Sequence, residues 1–240
     1  MDEYKSLVGI RRNPQEARQE RMAQERDNRA GDATRKRLMD EGLRLFATVG
    51  YNAVSTREIA QAAGVNHAAI GFHFKGKQGL YAAVIEDMVE KLHGICDPLV
   101  SAIDRNIEAC AGDRERLRQL TREAVGEYLA ASMRTERSRW LGVLLQREYV
   151  DPSDAFESIY KEVVEPLLAA IERLVQVAAG PSADGQRVVV RVYCIISQLT
   201  NMGRDRAILR RRFGPEIYEP EMFATLVSVV TEGVCGILGI

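Results

Sequence analysis

The sequence predicts an all-α protein, with a small helical unit near the N-terminus and a larger helical domain after it. From Thr34 onward, apolar residues recur at spacings of three and four, the period of an amphipathic helix. We find no block of short alternating segments between turns, which would be typical of a sheet. The run "RVVVRVYCII" is rich in β-branched residues, but its length and its helical neighbours favour a helix.

Composition places the chain among globular proteins. It has 240 residues, of which 46% are hydrophobic and 28% charged, enough for a substantial core. A membrane span needs about 18 or more consecutive apolar residues, which we do not find, and the acidic start "MDEYKSLVGIRRNP" is unlike a secretory signal. The four cysteines are widely scattered, which favours free thiols over disulfides or a zinc site.

Charge is distributed unevenly along the chain. The formal net charge is -1, yet residues 1–81 carry 14 basic and 10 acidic side chains, against 19 and 24 in residues 82–240. A basic first third on an acidic remainder suggests that the N-terminal part meets a polyanion. The imbalance is small, and an uneven surface without a nucleic-acid partner would give the same numbers.

Three segments are expected from the changes in pattern. Residues 1–31 are polar, and we interpret them as a solvated, flexible extension. An alternative is an arm that touches DNA through Arg11, Arg12 and Arg18, but the acidic residues among them favour the first interpretation. Residues 32–79 and 80–240 should then form the small and the large helical domain.

The small domain begins with a supporting helix that ends at Gly50. Its apolar stripe consists of Leu38, Gly42, Leu45, Phe46 and Val49.

A helix-turn-helix motif is predicted over residues 55–74. Ser55 can cap its first helix, because Glu58 follows three residues later and completes a capping box. Gly64 ends that helix, and Asn66 can cap the next one after a tight turn. In a helix-turn-helix unit the last helix is presented to the major groove of DNA.

The last helix of the motif has the side chains that a reading helix needs. Ile70 and Phe74 lie one turn apart and should face inward. Ala68 and Ala69 keep the first turn small, which allows close approach to the floor of the groove, and His67 could reach a base edge or a phosphate.

Further candidates lie at the starts of neighbouring helices, where free N–H groups and a partial positive charge favour phosphate. Thr56 and Arg57 open the first helix of the motif, and Arg57 could bind either a phosphate or a guanine. Lys77 opens the helix after the motif and would act as a point charge beside a phosphate.

Residues 34–84 resemble the DNA-binding domain of the TetR family of transcriptional regulators. The segments "STREIA", "AGV", "FHF" and "K-x-x-L-Y" occur in register with that family. At Gly71 the chain departs from it, because the family usually has a tyrosine there that presses on the sugar-phosphate backbone. The resemblance implies DNA contacts by Thr56, Arg57, His67, Ala68, Ala69, Phe72, His73 and Lys77.

The remaining chain is predicted to form one helix after another. A long connector carries Leu80, Val84, Met88 and Leu92 at regular spacing. Further along, Pro166 should kink or divide a helix, because proline has no N–H to donate.

The stretches "REYVDPSDAFESIYKEVVEPLLAAIERLV" and "SQLTNMGRDRAILRRRFGPE" resemble a TetR subgroup whose members respond to small molecules, sometimes antibiotics or other xenobiotics. Polar residues that interrupt apolar stretches are the best indication of a pocket, although ordinary core positions explain the apolar candidates equally well. An arginine there would suit an anionic effector, unless Arg147 forms a salt bridge with Glu148 or Asp151 instead. The expected pocket residues are Tyr128, Trp140, Gln146, Arg147, Tyr193, Gln198, Asn201 and Met202.

The last two long helices carry apolar stripes, and the resemblance implies that they pair with the same helices of a second chain. Small residues at Gly233 and Gly236 would permit close helix approach. A homodimer suits a helix-turn-helix protein, because two reading helices about 34 Å apart match a palindrome. The expected interface residues are Val188, Val192, Ile195, Leu199, Phe223, Leu226, Val230 and Val234.

Metal and enzyme chemistry are not expected, and we expect no cofactor. His67 and His73 are six residues apart and do not share a helix face. His93 and Cys96 could share a metal, but further ligands are missing nearby. The sequence has none of the common phosphate-loop, dinucleotide, metalloprotease or nucleophile-elbow motifs.

The sequence therefore suggests a cytoplasmic, ligand-responsive transcriptional regulator. It would act as a repressor that binds a palindromic operator as a homodimer and is released by a small-molecule effector. One alternative is a DNA-binding regulator without a small-molecule ligand, controlled by a protein partner or acting as an architectural protein. A third hypothesis, an all-α enzyme, lacks a polar cluster to support it.

Overall fold

The computed structural model describes residues 14–133, 135–181, 183–204, 206–214 and 219–240. Within these ranges the regular structure is helical throughout, and no strand occurs. The all-α prediction is confirmed. The α-helices are α1 (Pro14–Thr48), α2 (Thr56–Ala62), α3 (Ala68–Phe74), α4 (Lys77–Asn106), α5 (Arg114–Met133), α6 (Glu136–Val150), α7 (Phe156–Ile159), α8 (Glu165–Ala179), α9 (Gly185–Arg204), α10 (Arg206–Phe213) and α11 (Pro220–Leu238).

Helix α1 crosses the expected boundary at residue 31 without a break. Its early residues are good helix formers, so the helix propagates although Arg18 and Met22 are exposed. Burial begins later, where Leu38 and Phe46 enter the core. From Pro14 onward the secondary structure is therefore continuous across residue 31, and the described side chains on its two sides differ in burial. The proposed DNA contacts Arg11 and Arg12 lie outside the described residues.

Helices α1, α2 and α3 pack around one small core. The predicted capping box is present at the start of α2, where the backbone of Glu58 donates to the Ser55 hydroxyl at 3.2 Å. Its partner bond runs from the backbone N–H of Ser55 to the Glu58 carboxylate at 2.7 Å. Ile70 and Phe74 of α3 are buried as predicted, so the opposite side of α3 is left facing outward.

Helix α4 leads from this unit into the larger domain. It contains 30 residues, and its predicted apolar stripe is buried along its whole length. Within the larger domain α4 packs against α5 and α8. The four stripe residues are Leu80, Val84, Met88 and Leu92.

Proline divides the next long helical region, as predicted. A π-helical segment, Tyr160–Val164, follows α7, and α8 begins immediately after it with Pro166 in its first turn. Because proline cannot donate to the preceding turn, the regular α-helical ladder is interrupted at this point.

The burial of side chains on α9 and α11 disagrees with the prediction of which residues form the dimer interface. Phe223 and Leu226 remain half-buried, but the other side chains of the two predicted stripes lie in the core of a single chain. A stripe with helical spacing fits a core and an interface equally, and here packing against α5 and α8 has buried it. The residues wrongly expected at the interface are Val188, Val192, Ile195, Leu199, Val230 and Val234.

A different apolar surface on the same two helices is exposed. We call it the α9–α11 surface. Its most exposed apolar side chains are Val189, Val190, Tyr193, Met222 and Val229.

Helix α11 is long and apolar enough to cross a bilayer, with a mean hydropathy of 1.5 over its apolar window. Length and composition alone are weak support for a span, because core helices pass the same test. In the protein, α11 packs on α5, α9 and α8, and 28% of that window is buried. The sequence prediction of no membrane span rested on uninterrupted apolar runs and did not consider this helix.

Candidate DNA-binding surface and ligand cavity

The outward side of α2 and α3 gathers the predicted DNA contacts at one end of the molecule. Arg57, His67, Ala68 and Phe72 are exposed, whereas the other members of the set are half-buried. Phe72 is 84% exposed, which is unusual for a phenyl ring and gives α3 an apolar tip. The half-buried members are Thr56, Ala69, His73 and Lys77.

A hydrogen bond joins the two helices of the motif on this side. The Thr56 hydroxyl and Nε2 of His67 lie 2.9 Å apart, which fixes the imidazole at the start of α3. The Asn66 side chain accepts a hydrogen bond from the backbone N–H of Ala68 at 2.8 Å, as expected for a helix start. His67 is therefore held in place before any partner arrives.

Lys77 lies at the start of α4 against an aromatic ring. Its Nζ is 4.6 Å from the centroid of Tyr51, a cation–π distance. Hydrogen bonds from the backbone and hydroxyl of Ser55 lower the pKa of Glu58, and the charge of Lys77 contributes to the same shift. The surface therefore combines one fixed anion inside the capping box with cations at Arg57 and Lys77.

His73 lies closer to α1 than the other candidates. Its ring makes an edge-to-face contact with Phe72, with centroids 4.9 Å apart. A Cβ added at Gly31 of α1 would lie 3.9 Å from the His73 ring. This placement gives His73 a packing role between α3 and α1 in addition to its expected contact with DNA.

Gly71 is exposed and has open space around it. A Cβ added there would meet nothing within 4 Å. The absence of the tyrosine that the family usually has at this position therefore does not follow from crowding within the chain.

A cavity of about 450 Å³ lies inside the larger domain, between α4, α5, α6, α8 and α9. This volume falls within the range of small-molecule sites, about 300–1,000 Å³. Its walls are mostly apolar, with Leu92, Ile95, Leu145, Val164 and Leu168 among them.

Four of the predicted pocket residues line this cavity. They are Tyr128, Gln146, Tyr193 and Asn201. Tyr128 is buried, and that burial raises the pKa of its phenol, which therefore stays protonated and able to donate. Tyr193 is 72% exposed and stands where the cavity meets the α9–α11 surface.

The other predicted pocket residues lie elsewhere or are not described. Trp140 packs against the core, outside the cavity lining. The amide of Gln198 lies between α9 and α11, where a Cβ at Gly233 would approach it to 3.1 Å. Arg147 points toward α1, one position around the helix from Gln146. The side chain of Met202 lies outside the described residues.

Sequence reasoning missed several lining residues on α6. Arg139, Gly142 and Tyr149 line the cavity together with Gln146, which the sequence did indicate. Their spacings of three and four place them on one helix face, so extending the helical period from Gln146 would have found them. The other unpredicted polar lining residues are Ser132, Ser138, Ser197 and Thr200.

The opposite side of α6 is bound to the DNA-binding unit. Arg147 donates to the carbonyl oxygens of Ala47 and Thr48 at the end of α1, at 2.6 and 2.9 Å. Near the other end of α6, Arg137 pairs with Asp87 of α4 at 2.6 Å and with Asp40 of α1. Arg147 therefore contacts α1 and forms no salt bridge with Glu148 or Asp151.

Glu148 has partners of its own. It is buried, and it accepts hydrogen bonds from the Tyr81 hydroxyl of α4 and from the Ser153 hydroxyl, the latter at 2.9 Å. Burial and the bond to Glu148 raise the pKa of Tyr81. These bonds tie α6 to α4 in the interior.

Histidine pairs do not assemble a metal site in the described part of the chain. There, no group of three or more His, Cys, Asp or Glu side chains lies close enough to hold an ion. His93 is instead 3.2 Å from Asp97, one turn along α4. Burial raises the pKa of the Cys96 thiol to about 12, so that thiol stays protonated.

Two family profiles match the chain and together cover most of it. The profile of bacterial regulatory proteins of the tetR family matches residues 38–84. The profile of the C-terminal domain of the HTH-type transcriptional dual regulator CecR matches residues 114–239, more than half of the chain.

Relatives of known type agree with these matches. The HTH-type transcriptional dual regulator CecR of Shigella flexneri is 26% identical over 182 residues, covering 75% of this chain and 81% of the relative. The HTH-type transcriptional regulator AcrR of the same organism is 45% identical over 53 residues, which is 22% of this chain and 25% of that protein. The second match is thus short in both proteins.

Solved structures share the fold at low sequence identity. The fatty acid degradation regulator FadR from Bacillus halodurans aligns with a TM-score of 0.54 at 17% identity, covering 85% of this chain and 95% of that one. AmtR from Mycobacterium smegmatis aligns with a TM-score of 0.53 at 21% identity, covering 86% of both chains. The chain belongs to the TetR family of bacterial DNA-binding transcriptional regulators, which are not enzymes, and it has a CecR-type C-terminal domain.

Proposed function

We propose that this protein is a cytoplasmic repressor that binds a palindromic operator as a homodimer and releases it when a small molecule occupies the cavity. The observation that carries the proposal is the position of α6. One face of this helix lines the cavity, and the other face is bonded to α1 and α4 of the DNA-binding unit.

In the proposed complex, α3 enters the major groove. Ala68 and Ala69 allow the close approach, and His67, fixed by Thr56, contacts a base edge. Arg57 and Lys77 bind phosphates on either side and set the register of the protein on the duplex. Phe72 and His73 complete the proposed contact surface.

The α9–α11 surface is the proposed dimer interface. It exposes apolar side chains that a second copy would cover, and Val189 and Val229 are both more than half exposed. Pairing there would place two α3 helices on one side of the dimer, as a palindromic site requires.

Release would follow from a shift of α6 and α4. A ligand that binds better to one arrangement of these helices than to the other changes the spacing of the two reading helices. By linkage, the effector and the operator then weaken each other's binding to the protein by the same factor. Repression needs no contact beyond the operator, because a protein bound across a promoter excludes polymerase.

The test is capture of sheared genomic DNA from the source organism by the purified protein, followed by sequencing of the bound fragments. We expect enrichment of an inverted repeat with half-sites about one helical turn apart. Enrichment no better than for random fragments would contradict the proposal. A thermal-shift screen on the same protein then seeks the effector. Operator binding without any stabilising compound would favour control by a protein partner.

A further inference from the structure

Tyr128 of α5 is a buried tyrosine whose hydroxyl is unpaired within the described part of the chain. The side chain is only 7% exposed, and its hydroxyl forms no hydrogen bond with any described residue. The hydroxyl oxygen is not fully enclosed by protein atoms, and because the side chain lines the cavity, this oxygen opens into that space. Buried hydroxyls normally have a partner, since an unpaired one costs free energy. The cavity is therefore where a partner for Tyr128 would lie.

Several other polar side chains of the cavity differ from Tyr128, because each already interacts within the chain. Ser132 and Thr200 donate to backbone carbonyls of their own helices, at 3.3 and 2.9 Å. Arg139 also interacts within the chain, in part with the ring of Trp140, whose centroid is 4.4 Å from the guanidinium carbon. These groups do not require a ligand to satisfy them.

The Tyr128 hydroxyl is available as a hydrogen-bond donor. Burial raises the pKa of this phenol, so it stays protonated at neutral pH. The lone pairs of a phenol oxygen are partly delocalised into the ring, so a phenol donates more readily than it accepts. An acceptor atom on a ligand would therefore be its best partner.

Three more neutral polar side chains of the cavity are unpaired among the described residues. They are Gln146 of α6 and Ser197 and Asn201 of α9. Each can donate a hydrogen bond to an oxygen atom or accept one. The remaining walls are mostly apolar and would supply most of the contact area.

We propose that the effector is a mostly apolar molecule with a carbonyl group, and that Tyr128 donates a hydrogen bond to the carbonyl oxygen. The inference deepens the proposed function and rests on it. A hydrocarbon of the same shape would displace water from the phenol and leave its O–H unpaired, which lowers the affinity. Tyr128 is thus the residue that selects for the carbonyl group.

Two fluorescent probes that differ by one carbonyl oxygen test this selectivity. They are 6-propionyl-2-(dimethylamino)naphthalene and its reduced analogue 2-(dimethylamino)-6-propylnaphthalene. The protein used is the full chain, and the dissociation constant of each probe is measured by fluorescence titration. We expect Tyr128→Phe to weaken the carbonyl probe about fivefold, the loss typical of one neutral hydrogen bond, and to change the reduced probe less than twofold.

The emission wavelength of the carbonyl probe provides a second measurement. A hydrogen bond to the carbonyl oxygen shifts its emission to longer wavelengths. The probe bound to Tyr128→Phe should therefore emit at a shorter wavelength than the probe bound to the wild type. A change in packing alone would weaken both probes without this spectral difference.

Two further variants locate the probes and control for the loss of a hydroxyl. Gly142 lines the cavity and has open space at its Cβ, so Gly142→Phe should fill the cavity and exclude both probes. Tyr51 lies outside the cavity lining, so Tyr51→Phe removes the same group elsewhere and should leave both constants unchanged. Circular dichroism confirms that each variant is folded.

Three results would overturn the inference. They are equal weakening of both probes in Tyr128→Phe, an unchanged dissociation constant and emission for the carbonyl probe in that variant, and undiminished binding of both probes in Gly142→Phe. None of these would affect operator binding, which is measured with the captured DNA and no ligand. The ligand class and the proposed function can therefore fail separately.

Discussion

Arg147 of α6 donates a hydrogen bond to the carbonyl oxygen of Ala47 at the end of α1, with the two atoms 2.6 Å apart. The last carbonyls of a helix have no partner within it, and they form the negative end of its dipole. A guanidinium at this position therefore donates hydrogen bonds to the unpaired carbonyls of α1, and at the same time it fixes α6 against the DNA-binding unit. Gly50 gives it room, because a Cβ there would approach the guanidinium to 3.0 Å.

Replacing Arg147 by alanine should weaken this junction. We expect the free energy of unfolding to fall by about 1–2 kcal/mol, the cost of the lost charge-assisted hydrogen bonds at a partly exposed site. Urea denaturation measures the change. Arg187→Ala, at an exposed arginine of α9, should leave the midpoint within error. Equal midpoints for all three proteins would show that the contact does not stabilise the junction.

The Tyr81 hydroxyl should stabilise the folded protein through its hydrogen bond to Glu148. In Tyr81→Phe, the buried Glu148 loses a donor, and an unsatisfied buried group costs about 1–3 kcal/mol. Tyr51→Phe is the matched control, because its ring lies 4.8 Å from Tyr81 in the same aromatic cluster and the Tyr81–Glu148 bond remains. The stabilities of the two variants are compared by thermal unfolding. The idea is wrong if the control loses as much stability as Tyr81→Phe.

Two glycines close together in the sequence should respond oppositely to alanine. Gly71→Ala should stabilise the protein by up to about 1 kcal/mol, because its Cβ meets open space and alanine is the better helix former. Gly79→Ala should destabilise it, because a Cβ there would overlap the carbonyl oxygen of Phe74. Chemical denaturation gives both values, and changes of the same sign would contradict the geometry.

The capping box predicts a dependence of stability on pH. The pKa of Glu58 is lowered from its ordinary value of 4.5, so its contribution is complete above pH 4.5 and is lost as pH falls through the folded value. Replacing it in Glu58→Gln should therefore flatten the acid side of the stability curve. Ser55→Ala removes the hydroxyl but keeps the backbone N–H, which is the larger cause of the lowered pKa, so it should flatten the same region only in part. The comparison requires unfolding free energies from pH 3 to pH 7, and parallel curves for wild type and both variants would refute it.

Local patterns were sufficient to predict the helix-turn-helix motif. Ser55 and Glu58 identify the start of α2 by their spacing alone, and the bonds of the capping box are local. Ile70 and Phe74 likewise fix the inward face of α3 by their period. These features depend on neighbours in sequence, so one sequence contained enough information to find them.

Long-range packing could not be predicted in the same way. The sequence predicts that the stripe with Val188 and Val192 forms a dimer interface, but this stripe packs inside the chain, since helical spacing does not identify the partner. Arg147 was assigned to the pocket, whereas Gln146 beside it lines the cavity. Adjacent residues on a helix point about 100° apart. A difference of one position along α6 therefore decides whether a side chain lines the cavity or contacts α1.

In the proposed complex, α3 reads the DNA sequence while α4 supplies a phosphate contact. The most direct measurement is the affinity of the captured operator and of a scrambled duplex, across a range of salt concentrations, for His67→Ala and Lys77→Ala. Lys91→Ala, at an exposed lysine further along α4, is the control.

We predict that His67→Ala weakens operator binding more than scrambled binding, with an unchanged salt slope. Lys77→Ala should weaken both duplexes alike and reduce the slope of log K against log salt by about two for the dimer, one phosphate for each copy. Equal losses on both duplexes for His67→Ala, together with an unchanged slope for Lys77→Ala, would contradict the claim.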